Sequence, residues 1–107
     1  MNILLEYLYR DAGNNKFSGE FVFSNKAKMT VACVEAEIHA NLIDECFFVA
    51  EKVVLPTLYQ HEYEQTLDHG WHEFSYVEET SREVDAFPEQ DIQEFLNRLK
   101  LMSIIRM

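Results

Sequence analysis

The sequence contains few of the residues that bend, break or cross-link a chain. Its 107 residues include 3 glycines, 2 prolines and 2 cysteines. Because the glycines stand at positions 13, 19 and 70, the chain has neither a Gly-x-Gly-x-x-Gly loop nor a P-loop, which excludes these phosphate-binding motifs. The cysteines, Cys33 and Cys46, have no partner at a metal-ligand spacing. We expect both to be reduced thiols in the core.

Positive charge is scarce as well. The chain has 9 Lys and Arg residues against 19 Asp and Glu residues, for a formal net charge of -10. Proteins that bind nucleic acids or anionic membranes neutralise phosphates with clustered basic side chains. The only basic stretch here is Arg98, Lys100 and Arg106. The composition therefore argues against direct nucleic-acid binding and against a membrane surface as partner.

Long hydrophobic runs are missing too. No apolar run reaches the roughly 18 residues that a membrane span needs. Residues 1–6 have no basic region and include Glu6, so we expect no signal peptide and a cytoplasmic location. Apolar residues are instead spread along the chain and make up 48% of it. At this length they predict one domain, residues 1–107, with its own core.

Alternating apolar residues predict an N-terminal β-hairpin around the turn-rich residues 11–16. The residues that alternate onto the expected core face are Ile3, Leu5, Tyr7 and Tyr9 in the first strand and Phe17, Phe21 and Phe23 in the second. Leu4, Leu8 and Val22 fall on the opposite face. We therefore expect that face to be partly covered by a helix or by a partner chain.

The rest of the chain predicts two main helices and two further strands. The expected elements are a helix capped by Thr30 that runs to about residue 44, a strand at 46–50, a short helix or irregular loop at 57–70, a strand at 71–77 and a last helix that starts at Pro88. The fold class is therefore α+β. We expect an antiparallel sheet of about four strands packed against two main helices, in the order ββαβ(α)βα.

The acidic residues are concentrated in one part of the chain. Residues 60–94 hold 11 of the 19 acidic residues, only one of the 9 basic ones, and three of the four histidines. A structural role explains three of these acidic residues, Glu89, Asp91 and Glu94, because carboxylates are favoured at a helix start. The acidic residues that a helix start does not explain lie in residues 61–85, and we expect a functional role for this region.

A docking surface for a basic protein partner is the first hypothesis for this region. Tyr and Trp beside charged residues are typical of interface anchors, although we expect Trp71 itself to be core. The candidate partner-binding residues are Glu62, Tyr63, Glu64, Asp68, Glu73, Glu78 and Glu79. Small size, acidity and the absence of a catalytic motif fit a non-enzymatic interaction module, of which an inhibitor or immunity-type protein is one version.

A metal site is the alternative for the same stretch. His61, His69 and His72, together with Asp68, supply ligand types that bind zinc or another divalent metal. The metalloprotease pattern His-Glu-x-x-His is incomplete, because Gln65 stands where its second histidine would be. A solvated helical face explains the same residues without a metal.

Two further possibilities remain open in the sequence. Ser75 and Ser81 have no nucleophile elbow around them, so the sequence favours a protein that is not an enzyme. An aromatic pocket for a small ligand is a third functional hypothesis, and its candidate lining residues are Tyr7, Tyr9, Phe21 and Phe23. A homodimer is also possible, through the second face of the sheet or through the apolar residues 101–107.

Overall fold

In the described part of the chain, four strands form one antiparallel sheet, and two helices lie against one of its faces. The structure, a computed structural model, describes residues 1–10, 13–43, 46–53, 55, 71–86 and 90–105. Its elements are β1 (Asn2–Arg10), β2 (Lys16–Phe23), α1 (Val31–Ala40), β3 (Phe47–Val49), a 3-10 turn (Ala50–Val53), β4 (Trp71–Thr80) and α2 (Ile92–Ile105). This confirms the predicted α+β class and element order. The ambiguous segment 57–70 lies outside the described residues.

Strand β1 lies in the interior of the sheet, whose order is β2-β1-β4-β3. It pairs with β2 in a register that places Ile3 opposite Phe23 and Leu5 opposite Phe21. Directly opposite residues share a face of the sheet, so this register brings the predicted apolar positions of both strands together. The hairpin prediction is confirmed, including its core face.

The helices bury the apolar stripes that their sequences predict. Val34 and Ile38 of α1 are buried against the sheet. The buried residues of α2 are Ile92, Phe95, Leu96, Leu99 and Met102. Burying a side chain of this size stabilises a fold by about 1.5–3 kcal/mol relative to exposure, so the helix-facing side of the sheet supplies most of the stability.

Capping residues set the helix starts. The Thr30 hydroxyl accepts a hydrogen bond from the backbone N–H of Cys33 at 3.1 Å, as predicted for an N-cap. The helix ends at Ala40, earlier than the predicted residue 44, because Asn41 caps it and donates its backbone N–H to the carbonyl of Ile38. At α2 the Asp91 carboxylate plays the same role, accepting from the N–H of Gln93 at 3.0 Å. The last helix therefore begins at Ile92, and its predicted start at Pro88 is wrong.

A β-bulge in β4 changes which side chains share a face. The pairing register between β1 and β4 shifts between Glu6 and Tyr7, so Tyr76 lies opposite Glu6 and Phe74 lies opposite Tyr7. Phe74 and Tyr76 are two residues apart in sequence, yet they project from opposite faces. The bulge explains this, because one extra residue in a strand inverts the alternation beyond it.

The expected core position of Trp71 is wrong. Its side chain is 40% exposed, because His72 takes the adjacent core-facing position and alternation turns Trp71 to the other side. There the indole packs on the Phe47 ring, with centroids 5.4 Å apart.

The chain after β4 folds back and closes the outer edge of β2. The backbone N–H groups of Asp85 and Ala86 both donate to the carbonyl of Val22, at 3.1 and 3.2 Å. In return the N–H of Val22 donates to the Asp85 carboxylate at 2.6 Å. Val22 and its cross-strand partner Leu4 are buried although neither belongs to the main core cluster. Residues 85 and 86 thus close the edge of the sheet beside this pair, and cover by a helix or a partner chain stays a prediction.

Candidate functional site

The side of the sheet that faces away from the helices carries a group of carboxylates. Glu6 of β1 lies directly opposite Glu20 of β2 on one side and Tyr76 of β4 on the other. Glu78 of β4 faces the same way, opposite Leu4. We call Glu6, Glu20, Tyr76 and Glu78 the acidic face. Neighbouring strands lie about 4.8 Å apart, so these three carboxylates occupy one continuous patch.

The pKa of Tyr76 reports that these charges act together. The hydrogen bond of its hydroxyl to the Glu6 carboxylate is the largest cause that raises the pKa of the phenol. Partial burial and the negative charges of Glu6, Glu78 and Glu20 raise it further. The phenol therefore stays neutral inside a negative field. Its ring is 40% exposed and is open to contact.

One cation sits at the corner of the acidic face. The Arg82 guanidinium contacts the Glu20 carboxylate at 2.7 Å and the Asp85 carboxylate at 3.7 Å. All three side chains are about half exposed, so the pairs contribute little to stability. Among the described residues, no Lys or Arg forms an ion pair with Glu6 or Glu78. The acidic face thus keeps most of its negative charge.

The predicted partner-binding residues in β4 are divided by the structure. Glu78 belongs to the acidic face. Glu79 is exposed but projects from the opposite side of the sheet, opposite Ile3. Glu73 is paired with Arg10 at 3.1 Å, and its side chain is only 18% exposed, so its charge is already balanced. The other predicted residues, Glu62, Tyr63, Glu64 and Asp68, lie outside the described residues.

Sequence reasoning missed Glu6 and Glu20. Both lie in the N-terminal hairpin, far in sequence from the acidic stretch. The signal was present, because Glu6 and Glu20 fall on the polar side of their strands. Joining them to Glu78 required the strand order, which periodicity alone does not provide.

His72 is a core residue rather than an exposed ligand. Its side chain is fully buried and packs against the rings of Tyr9, Tyr7 and Phe48, with centroid distances of 5.1, 5.9 and 6.2 Å. The described part of the chain holds no group of three or more His, Cys, Asp or Glu side chains placed to bind a metal ion. The predicted partners His61, Asp68 and His69 lie outside it, so the zinc or divalent-metal hypothesis stays a prediction.

The two cysteines lie in different surroundings. The expectation that both are core is wrong for Cys33, which is exposed because it lies beside the buried stripe of α1 rather than on it. Cys46 is half-buried. Its burial and the charge of Glu73 raise the pKa of the Cys46 thiol, which the charge of Arg10 opposes. A protonated thiol is a poor nucleophile, so this environment favours a structural role.

The candidate ligand-pocket residues are packed against other aromatic rings. Tyr7 contacts Phe48 and Phe21 with ring centroids 5.7 and 6.1 Å apart, and Phe23 contacts Phe95 at 5.4 Å. Burial raises the pKa of Tyr7 well above its ordinary value. These side chains fill the core between the sheet and the helices, and the small-ligand hypothesis stays a prediction.

The last helix exposes two apolar side chains, Leu101 and Ile104, near its end. Dimerisation through residues 101–107 also stays a prediction. No helix in the described part of the chain is both long enough and apolar enough to cross a bilayer.

Comparisons with protein-family models, with curated proteins and with solved structures returned no match. The functional argument therefore depends on the geometry and charge of the acidic face.

Proposed function

We propose that this protein is a non-enzymatic interaction module that docks a basic surface of a partner protein through its acidic face. The observation that carries the proposal is the alignment of Glu6, Glu20 and Glu78 on three adjacent strands. These side chains point away from both helices. Like charges placed directly opposite each other, as Glu6 and Glu20 are, destabilise a sheet, so their placement favours a role outside folding.

The charge distribution supports a protein with a positive surface as the partner. The chain has a formal net charge of -10, and the acidic face concentrates part of it on one side of the sheet. Such a field repels nucleic acids and anionic lipids, and it speeds the encounter with a basic partner. Surface charges are screened beyond about 10 Å at 0.1 M salt, so the interaction should weaken as salt is added.

Tyr76 gives the acidic face a place for tight contact. Tyrosine is enriched among the residues that dominate interface energies, since its ring supplies apolar area and its hydroxyl supplies a hydrogen bond. In such a contact the carboxylates of Glu6 and Glu78, which lie near Tyr76, would stand where phosphates lie on a nucleic-acid-binding protein. This supports an inhibitor or immunity-type protein as the particular form of the module.

The experiment compares three proteins with different charge placement. The first is the wild type. The second carries Glu6→Gln, Glu20→Gln and Glu78→Gln on the acidic face. The third is a matched control with the same loss of charge on the helices, listed here as Glu35→Gln, Glu37→Gln and Glu94→Gln. Each is immobilised, and the proteins captured from a lysate at low and high salt are identified and quantified.

We expect a basic protein that the wild type and the helix control retain equally at low salt. The acidic-face variant should lose it by about tenfold or more, and about 0.5 M salt should release it from all three. Equal losses in the two variants would mean that only net charge matters, which would reject the acidic face as the docking site. Capture of proteins that no variant weakens would reject it as well.

A further inference from the structure

The two edges of the sheet differ in how they are covered. At the end of β2 the outer edge is closed, at Val22 by residues 85 and 86 and at Ser24 by residues 90–92, which exchange backbone hydrogen bonds with Ser24. The outer edge of β4 is paired with β3 only at three positions, where Phe47, Phe48 and Val49 meet residues 71–73.

Most of the outer edge of β4 is open in the described part of the chain. The backbone N–H of Phe74 still donates to the carbonyl of Cys46 at 3.0 Å. Beyond it, no backbone hydrogen bond from another described segment reaches the outer side of residues 75–80. In an antiparallel strand every second residue presents both its N–H and its C=O to the same side. This stretch therefore presents a row of groups that can pair with a further strand.

We propose that residues 75–80 of β4 bind an extended, basic segment of the partner as a fifth strand of the sheet. This inference rests on the proposed function and adds the mode of binding to it. An exposed sheet edge is a template for strand addition, in which backbone hydrogen bonds give affinity and side chains give specificity. The acidic face adjoins this edge through Tyr76 and Glu78.

The carboxylates beside the outer edge of β4 favour a basic segment as the added strand. Adjacent residues of a strand project to opposite faces, so Glu78 and Glu79 place one carboxylate on each side of the edge. Lysine or arginine side chains of an added strand would lie about 4.5–5.5 Å from such cross-strand neighbours, where opposite charges attract. A second copy of this chain would bring carboxylates against carboxylates. The same residues therefore oppose self-pairing and favour a basic strand.

The test uses two fluorescent ten-residue peptides with equal charge. In the first, lysine alternates with threonine, which suits an added strand. In the second, the same number of lysines is combined with prolines that stand in adjacent pairs, so the prolines interrupt the N–H donors on both sides of the strand while the peptide stays extended. The affinity of each for the wild-type protein is measured by fluorescence anisotropy at low salt. Amide hydrogen exchange of residues 75–80 is measured with and without each peptide.

We expect the lysine–threonine peptide to bind about tenfold more tightly or better, because several backbone hydrogen bonds form only with it. It should also slow amide exchange within residues 75–80, whereas the lysine–proline peptide should not. Equal affinities without protection would overturn strand addition and leave the acidic face as a docking site. If neither peptide binds at low salt, both proposals fail. Protection of residues 75–80 in the protein alone, lost on dilution, would show a second copy at the edge and overturn the proposal.

Discussion

The two faces of one sheet have opposite chemistry in this protein. Along β1, Ile3 and Leu5 point into the core under the helices. The alternate residues Leu4 and Glu6 project from the other side of the sheet. The core face is apolar because its side chains are buried. The acidic face carries charged side chains, which stay exposed because burying an unpaired charge is unfavourable. A single alternating strand thus contributes apolar side chains to the core on one side and a carboxylate to the acidic face on the other. Because the two faces differ in this way, we expect mutations on one face to have effects distinct from mutations on the other.

The largest expected effect comes from a cavity under the core face. Phe95→Ala removes a buried ring of α2 that packs on Phe23, and we expect a loss of about 3–5 kcal/mol in the free energy of unfolding. Denaturant unfolding followed by circular dichroism measures it. The outer-face counterpart, Tyr76→Ala, removes a half-exposed ring and should cost far less. Similar losses in the two variants would break the contrast between the faces.

The next effect tests the residue that ties β2 to α2. The Asp91 carboxylate accepts hydrogen bonds from the N–H of Lys26 at 2.8 Å and of Gln93 at 3.0 Å, and from the Ser24 hydroxyl at 2.9 Å. Burial would raise the pKa of this carboxyl, but these hydrogen bonds and the charge of Lys26 lower it overall. Because N-cap replacement alone costs about 0.5–2 kcal/mol, we expect Asp91→Ala to lose about 2 kcal/mol.

The lowered pKa of the Asp91 carboxyl determines how the stability of the fold changes with pH. A carboxyl whose pKa is lower in the folded state stabilises the fold above its unfolded value and loses that contribution as the pH falls. The Asp91 contribution should therefore be complete at neutral pH and decline from about pH 4 downward. Unfolding curves of the wild type and Asp91→Asn at several pH values measure it. A stability difference between them that is unchanged down to pH 2 would contradict this account.

The third prediction concerns the electrostatics of the acidic face alone. Glu6→Gln removes the carboxylate that contributes most to the raised pKa of Tyr76. We expect the pKa of the phenol to fall toward its ordinary value, because the hydrogen bond to a carboxylate is lost and charge repulsion against tyrosinate weakens. Tyrosine-resolved NMR titration at high pH provides the measurement. Glu94→Gln on α2 is the control and should leave Tyr76 unchanged. An unchanged pKa in the Glu6 variant would show that the carboxylates do not act on Tyr76.

The smallest effect is a gain in stability. Glu6 and Glu20 are like charges in directly opposite positions, so Glu6→Gln should stabilise the protein by about 0.3 kcal/mol at low salt. The gain should disappear at about 1 M salt, where screening acts over about 3 Å. Paired unfolding curves at the two salt concentrations measure it. A loss of stability at low salt would mean that Glu6 serves the fold, and the argument for a recognition role would weaken.

Much of the fold was predictable from local patterns in the sequence. The period of two in residues 2–10 and the helical spacing from Ile92 to Met102 identified core faces that the structure confirms. The bulge in β4 was not predictable, because one inserted residue leaves the composition and the alternation of each half intact. That bulge puts Tyr76 on the acidic face and leaves Phe74 on the core side.

The candidate site was predictable only in part for a related reason. Sequence reasoning searched one contiguous acidic stretch and found Glu78. Glu6 and Glu20 join it through strand pairing, which connects residues about 60–70 positions apart along the chain. Long-range register depends on the whole sheet and is not set by any local window.

The most direct test of the docking face is NMR chemical-shift mapping during titration with the lysine–proline peptide. That peptide carries the charge of a basic partner without the ability to add a strand, so it isolates the acidic face. At low salt we predict that the largest shift changes fall on Glu6, Glu20, Tyr76 and Glu78, and that about 0.5 M salt abolishes them. Shift changes that are largest at the helix acids Glu35 and Glu94, or uniform over all acidic residues, would contradict the account.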